Sequence, residues 1–155
     1  MKALLPILLA LLPAAAGAQD LARCYLRDYT PDHLAGHPLQ VTQRIALGPS
    51  DWAPPGGWGA DGPPAVLRLH LATRDGRRFS TLVFCRTGAP GHVCSVDGEG
   101  GHLTLEPAQG GAVMLRPRAP GIFLIDDTSG EIEISATRGD DRAFRLPPVP
   151  ADACP

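Results

Sequence analysis

From residue 65 to residue 146 the chain is a string of short runs in which apolar and polar residues alternate, each stopped by turn-forming residues. AVLRLHLAT and FSTLVFC are joined by RDGR; HVCSV, HLTLE, AVMLR, IFLI, EIEISAT and RAFRL follow, parted by GEG, PAQGG, PRAPG, DDTSG and RGDD. A period of two sends successive side chains to opposite faces of a strand, and no stretch here carries the 3.6-residue period of a long amphipathic helix. Eight or nine short strands with tight connections predict an all-β fold: a single antiparallel meander closed as a small β-barrel, with a β-sandwich as the alternative.

Parity predicts the register of two hairpins. A two-residue turn at Asp75-Gly76 sets Leu71 opposite Ser80, Leu69 opposite Leu82 and Leu67 opposite Phe84, which makes one side of the hairpin apolar nearly throughout. The same register turns Cys85 away from that side, while Cys94 is in phase with the core position Val96, so a bulge or a strand end is needed near Cys85. In VDGEGGHLTL, residues 96–105, a two-residue turn at Glu99-Gly100 sets Val96 opposite Leu103, Cys94 opposite Leu105 and Asp97 opposite His102. The glycines then serve the turn, with an anion-holding nest of backbone N–H groups as the alternative.

The first eighteen residues, MKALLPILLALLPAAAGA, join one positive charge, an apolar run from Ala3 to Leu12 and small residues at Ala16 and Ala18. This is the pattern of a secretory signal peptide over residues 1–18, cleaved before Gln19, leaving residues 19–155 as a single secreted β domain. No later segment approaches the roughly 18 to 20 apolar residues of a membrane helix, and no membrane insertion is expected. In an oxidising compartment the four cysteines, Cys24, Cys85, Cys94 and Cys154, form an even set that predicts two disulfides. Proximity favours Cys85 with Cys94, which leaves Cys24 and Cys154 to join the two ends of the domain. The spacing suits neither a zinc finger nor a CxxC redox pair.

Lys2 is the only lysine, so the mature chain has 13 Arg against 16 Asp and Glu and a formal charge of about −3. No basic block points to nucleic acid or to an anionic membrane. The start of the mature chain allows one short helical turn, with Thr30 as N-cap and Pro31 at the first helical position, stopped by Gly36 and Pro38. Val41, Ile45 and Leu47 share a parity and predict a first strand over residues 41–47.

Candidate sites are few. His33 and His37 lie four apart, a spacing that could present two imidazoles for a metal on a helix, but the helix is too short and no partner motif follows; surface or capping roles are expected, with no metal and no cofactor. There is no G-x-S-x-G elbow and no H-E-x-x-H pair. LIDDTSG, residues 124–130, approaches the pattern of aspartic proteases, but Ser129 separates Thr128 from the glycine, and a hairpin turn is the simpler reading. Glu106, Arg116, Asp126, Asp127, Glu131 and Glu133 fall on turns or outward positions and read as solvated faces. Trp52 and Trp58 stand out. They share an irregular loop, residues 48–64, in which ten of seventeen residues are Gly or Pro. Tryptophan in such a loop serves either as a contact for a ligand or partner or as a plug and cover for the strands.

The segment CYLRDYTPDHLAGHPLQV, residues 24–41, resembles the start of an uncharacterised group of small periplasmic proteins of Gram-negative bacteria that share a Cys-Tyr, an Arg-Asp-Tyr and a His-Leu-Ala. The resemblance implies a periplasmic or secreted location and brings no catalytic residue with it. In architecture the chain is also similar to bacterial lysozyme inhibitors, without their inhibitory loop motifs. The expectation for function is a non-enzymatic binding or inhibitor-like β domain, contacting an unknown protein or small molecule through loops at one barrel end, with Trp52 and Trp58 as the contact residues. The alternatives are a carrier of a small apolar ligand inside the barrel and a hydrolase with a carboxylate and histidine site.

Overall fold

The structure is a computed structural model that describes residues 20–62 and 64–155. The expected signal peptide, residues 1–18, lies outside the described residues. The described residues form an antiparallel meander of ten strands with one short helix: β1 Cys24–Asp28, α1 Pro31–Gly36, β2 Thr42–Pro49, β3 Ala65–Thr73, β4 Arg78–Thr87, β5 His92–Val96, β6 Gly101–Pro107, β7 Val113–Asp126, β8 Gly130–Ser135, β9 Phe144–Leu146 and β10 Pro148–Val149. Two lone 3-10 turns lie at Gln109–Gly111 and Ala151–Ala153. Helix α1 begins as its capping residues dictate, with the Thr30 hydroxyl accepting from the His33 N–H at 3.2 Å and Pro31 in the first turn.

Neighbours in the sheet run β10, β1, β2 and so on in chain order to β8, with β9 attached to β7. The sheet is not closed, so the expected barrel does not form. The outer edge of β7 is divided: Val113, Met114 and Leu115 pair with β9, while Gly121 to Asp126 pair with β8. The nearest approach to closure is the segment 144–149. Its first three residues pair only with β7 and its last two only with β1, and between them Pro147, which has no N–H to donate, accepts from the Leu26 N–H.

Strands β1 and β10 are additions to the expected set, and the runs AVMLR and IFLI are one fourteen-residue strand, β7. The expected phase of Val41 also fails. A bulge between Thr42 and Arg44 reverses parity, leaving Val41 exposed and Thr42 fully buried, while Ile45 and Leu47 point inward as expected.

One face of the sheet encloses the core. Ile45, Leu47, Leu67, Leu69, Leu71, Val83, Leu103, Leu105, Leu115, Ile122, Leu124, Ile134, Phe144 and Leu146 are all 2% exposed or less. Burying a side chain of this size contributes about 1.5–3 kcal/mol, so the alternation read from the sequence carries most of the driving force for this arrangement. Disulfides join Cys24 to Cys154 and Cys85 to Cys94. The second crosses directly between paired residues of β4 and β5.

Both hairpin registers differ from expectation. In the β3–β4 hairpin the Thr73 N–H donates to the Arg77 carbonyl, so the loop has three residues, Arg74-Asp75-Gly76, with Gly76 at φ 87°. Leu71 therefore faces Phe79, Leu69 faces Thr81 and Leu67 faces Val83. The extra loop residue exchanges the faces of β4: Cys85 turns inward beside Cys94, which removes the conflict over its parity, and Phe84 turns outward. In the β5–β6 hairpin the two-residue loop is Gly98-Glu99, both at positive φ, and the Gly100 N–H donates to the Asp97 carbonyl. Cys94 then faces Leu103 and Ser95 faces His102, so the expected Asp97–His102 pair is not made. Moving the turn by one position shifts pairing by two, and the apolar face is unchanged.

Candidate functional site

The outward turn of Phe84 builds the most distinctive surface feature of the molecule. Trp52 packs edge-on against Phe84 with ring centroids 5.5 Å apart, Trp58 lies 6.3 Å from Phe84, and the two indoles are 6.0 Å from each other. Edge-to-face geometry of this kind is favoured by the aromatic quadrupole and contributes about 0.5–1.5 kcal/mol per pair. The loop holding the tryptophans is tied at both ends. The Ser50 N–H donates to the Val66 carbonyl at 2.9 Å, and the Arg86 guanidinium donates to the carbonyls of Asp61 and Gly62 at 3.3 and 3.2 Å.

The loop thus covers the outer face of β4 and does not plug an end of a barrel. Its two tryptophans are not equivalent: Trp58 is half-buried, whereas Trp52 keeps 39% of its surface exposed. Beside Trp52 opens a cleft of about 420 Å³ lined by Arg68, Ser80, Leu82, Asp97, Phe123 and Ile125, among others. Ile125 is 68% exposed, an unusual state for an isoleucine in a strand, and it shares this cleft with the exposed indole.

Sequence reasoning singled out the tryptophans but missed Phe84, Phe123 and Ile125. Phe84 was misplaced by the one-residue error in the loop. Ile125 had a signal, since it alternates with the core residue Leu124 along β7 and must point outward.

The other candidates are scattered. His33 and His37 stack face to face at 4.1 Å, and their nitrogens bond Gln40 Oε1 at 3.1 Å and the His33 carbonyl at 2.8 Å, so both rings serve the local structure after α1. Asp126 caps its turn: its carboxylate accepts from the Thr128 hydroxyl and from the N–H groups of Thr128 and Ser129, and these bonds hold its pKa below the usual carboxylate value. LIDDTSG is thereby a hairpin turn. Glu106 meets Arg116 at 3.7 Å and Glu133 meets Arg138 at 3.2 Å across exposed surface, where such pairs contribute about 0–1 kcal/mol. Asp127 and Glu131 are exposed.

No family model, no curated protein and no solved structure matches the chain. The surface itself is therefore the basis for a functional reading.

His70 stands apart from the Trp52 cleft. It lies on the outer face of β3 in a second cleft of about 300 Å³, together with Arg44, Ala46, Ala72, Arg78 and Pro155. Burial, and then the neighbouring Arg68, push its pKa below the ordinary histidine value. Besides His70, the ionisable side chains that line this cleft are Arg44 and Arg78, and Arg44 is paired with Asp28 at 3.5 Å. Among the described residues no helix is long and apolar enough to cross a membrane.

Proposed function

We propose that this chain is a periplasmic, non-enzymatic binding domain that holds a partner protein against the Trp52 cleft on the outer face of β4. One observation carries the reading: an indole 39% exposed and an isoleucine 68% exposed share one cleft with polar groups at its walls. Apolar anchors rimmed by polar residues are the composition of interface hot spots. The core supports binding at the surface in preference to carriage of an apolar ligand, because twelve large side chains are each less than 2% exposed and fill the inner face. Two disulfides suit an oxidising compartment, and the N-terminal resemblance suits the periplasm.

The test separates contact from cover. Trp52→Ala is expected to abolish capture of the partner from a periplasmic extract while lowering stability by about 1–3 kcal/mol, the value of its two aromatic pairs. Trp58→Ala, which removes the half-buried ring, is expected to act more on stability. If Trp52→Ala lowers the melting temperature but leaves capture unchanged, the loop is a cover only and the reading is wrong.

A further inference from the structure

The Trp52 cleft does not end at β4. Arg68 lines it, and two residues further along the same outward face of β3 is His70, which lines the second cleft; Ser80 of the first cleft sits directly opposite His70 in the ladder. The two clefts share no lining residue but adjoin end to end as a groove along the outer face of β3, where Arg68 to Ala72 spans about 13 Å at the rise of a strand.

Register fixes what lines the far end. Ala72 is paired with Arg44 on one side and with Arg78 on the other, and Ala46 is paired with His70. All point outward. Two alanines therefore make the floor and two arginines make the walls, with Cα atoms about 10 Å apart across three strands. Arg44 has a partner in Asp28 at 3.5 Å. Arg68 and Arg78 have no carboxylate within 4 Å among the described residues, although the mature chain has more acids than arginines. Asp97 is the acid on the Trp52 side. Pro155, held nearby by the Cys24–Cys154 bridge, forms part of the rim at the other end.

We propose that this groove receives an acidic, extended peptide segment of the partner protein, an apolar side chain lying against Trp52 and Ile125 and carboxylates reaching Arg68, Arg78 and Arg44. The inference rests on the reading of the Trp52 cleft as a partner site and adds the chemistry of the partner. Charge complementarity selects the occupant: guanidinium groups two strands apart on a floor of alanines suit carboxylates spaced along an extended backbone, and an uncharged or basic segment would leave Arg68 and Arg78 desolvated without a counter-charge.

The experiment uses the oxidised domain and two fluorescent peptides, one with a Leu-Phe pair followed by alternating Glu and Ser, the other with Lys in place of each Glu. The acidic peptide is expected to bind saturably and the basic one not to bind. Arg68→Glu combined with Arg78→Glu is expected to weaken the acidic peptide by about tenfold or more, with a similar trend on raising salt from about 0.05 to about 0.3 M. Arg68→Gln with Arg78→Gln, which removes charge without reversing it, is the control should the reversed pair fail to fold, and is expected to weaken binding by a smaller factor in the same direction. No binding of the acidic peptide, equal binding of both peptides, or an acidic peptide indifferent to both arginine pairs would each overturn the proposal. So would uptake of an acidic polysaccharide or inorganic phosphate in place of the peptide. Trp52→Ala is measured alongside: loss of binding on charge reversal but not on Trp52→Ala refutes the tryptophan reading and keeps the cationic groove, and the opposite pattern does the reverse.

Discussion

His70 shows how one residue reports on its surroundings. Its folded-state pKa is below the ordinary value of 6.5 because its ring is partly desolvated and Arg68 is close. As pH falls through the ordinary histidine range, the unfolded chain takes up a proton that the folded protein does not, so stability declines; the loss is complete once pH passes below the folded-state pKa. NMR titration should place His70 below 6.5, and Arg68→Gln should move it part of the way back. His70→Gln should lessen the fall in urea midpoint between pH 7 and pH 5. A titration at or above the ordinary value would contradict this. Asp75 and Asp126 work in the opposite pH window. Both are held below the usual carboxylate pKa, Asp75 chiefly by the Thr73 hydroxyl and Asp126 chiefly by the Thr128 hydroxyl, so what they contribute is present above the ordinary carboxylate range and is lost as pH drops through their depressed values.

Buried Asp141 is a residue whose role the sequence hid. Its carboxylate accepts from the N–H of Val41 at 2.6 Å and of Thr42 at 3.2 Å, clasping the β8–β9 connection to the start of β2. Both bonds go to backbone groups at the entry to β2, just before the bulge between Thr42 and Arg44. RGDD reads as a turn in sequence because the partners of its acids lie about a hundred residues away.

At the level of elements, the β3–β4 loop decides which side chains reach the surface. Its third residue, Gly76 at φ 87°, closes a three-residue turn, and that count places Phe84 outside for the tryptophans and Cys85 inside for Cys94. Deleting Arg78, which keeps the loop closed by Thr73 and Arg77 but sets Phe79 opposite Ala72, would turn the rest of β4 over. We expect this deletion to cost about 3 kcal/mol or more, the scale of a large core side chain lost, and to leave Cys85 and Cys94 unbridged. Urea denaturation and a thiol count would show both; a stable variant with an intact bridge would mean that the Thr73–Arg77 closure does not fix the register. The β5–β6 hairpin is the contrasting case. Its turn lies one residue before the expected position, yet Cys94, Leu103 and Leu105 still point inward, since a shift of two preserves parity.

For the whole molecule, the two disulfides have unequal work. Cys24–Cys154 links residues 130 apart and Cys85–Cys94 links residues 9 apart. In the chain-entropy description these correspond to about 5 and about 2.5 kcal/mol of destabilised unfolded state. Replacing the first pair by alanine should thus lower stability by about twice as much as replacing the second, by urea denaturation under non-reducing conditions; equal losses would indicate that strain or residual structure outweighs loop closure. The long bridge also explains a glycine: a Cβ at Gly48 would stand 2.5 Å from the Cys154 Sγ, so the tail can cross β2 only where there is no side chain.

The sequence by itself determined the all-β class, the antiparallel meander, the one short helix with Thr30 as its cap, the inward face of most strands and the prominence of Trp52 and Trp58. These follow from local rules: period two, turn chemistry and capping act within a few residues. Only the tertiary structure decided that the sheet stays open, since this depends on how β8 and β9 divide the edge of β7. It also decided that β1 and β10 pair at all, and that Phe84, Ile125 and Arg68 gather beside Trp52. Those outcomes hang on the length of one loop and on contacts between distant strands, where a difference of a single residue exchanges inside for outside and no local signal records which was taken.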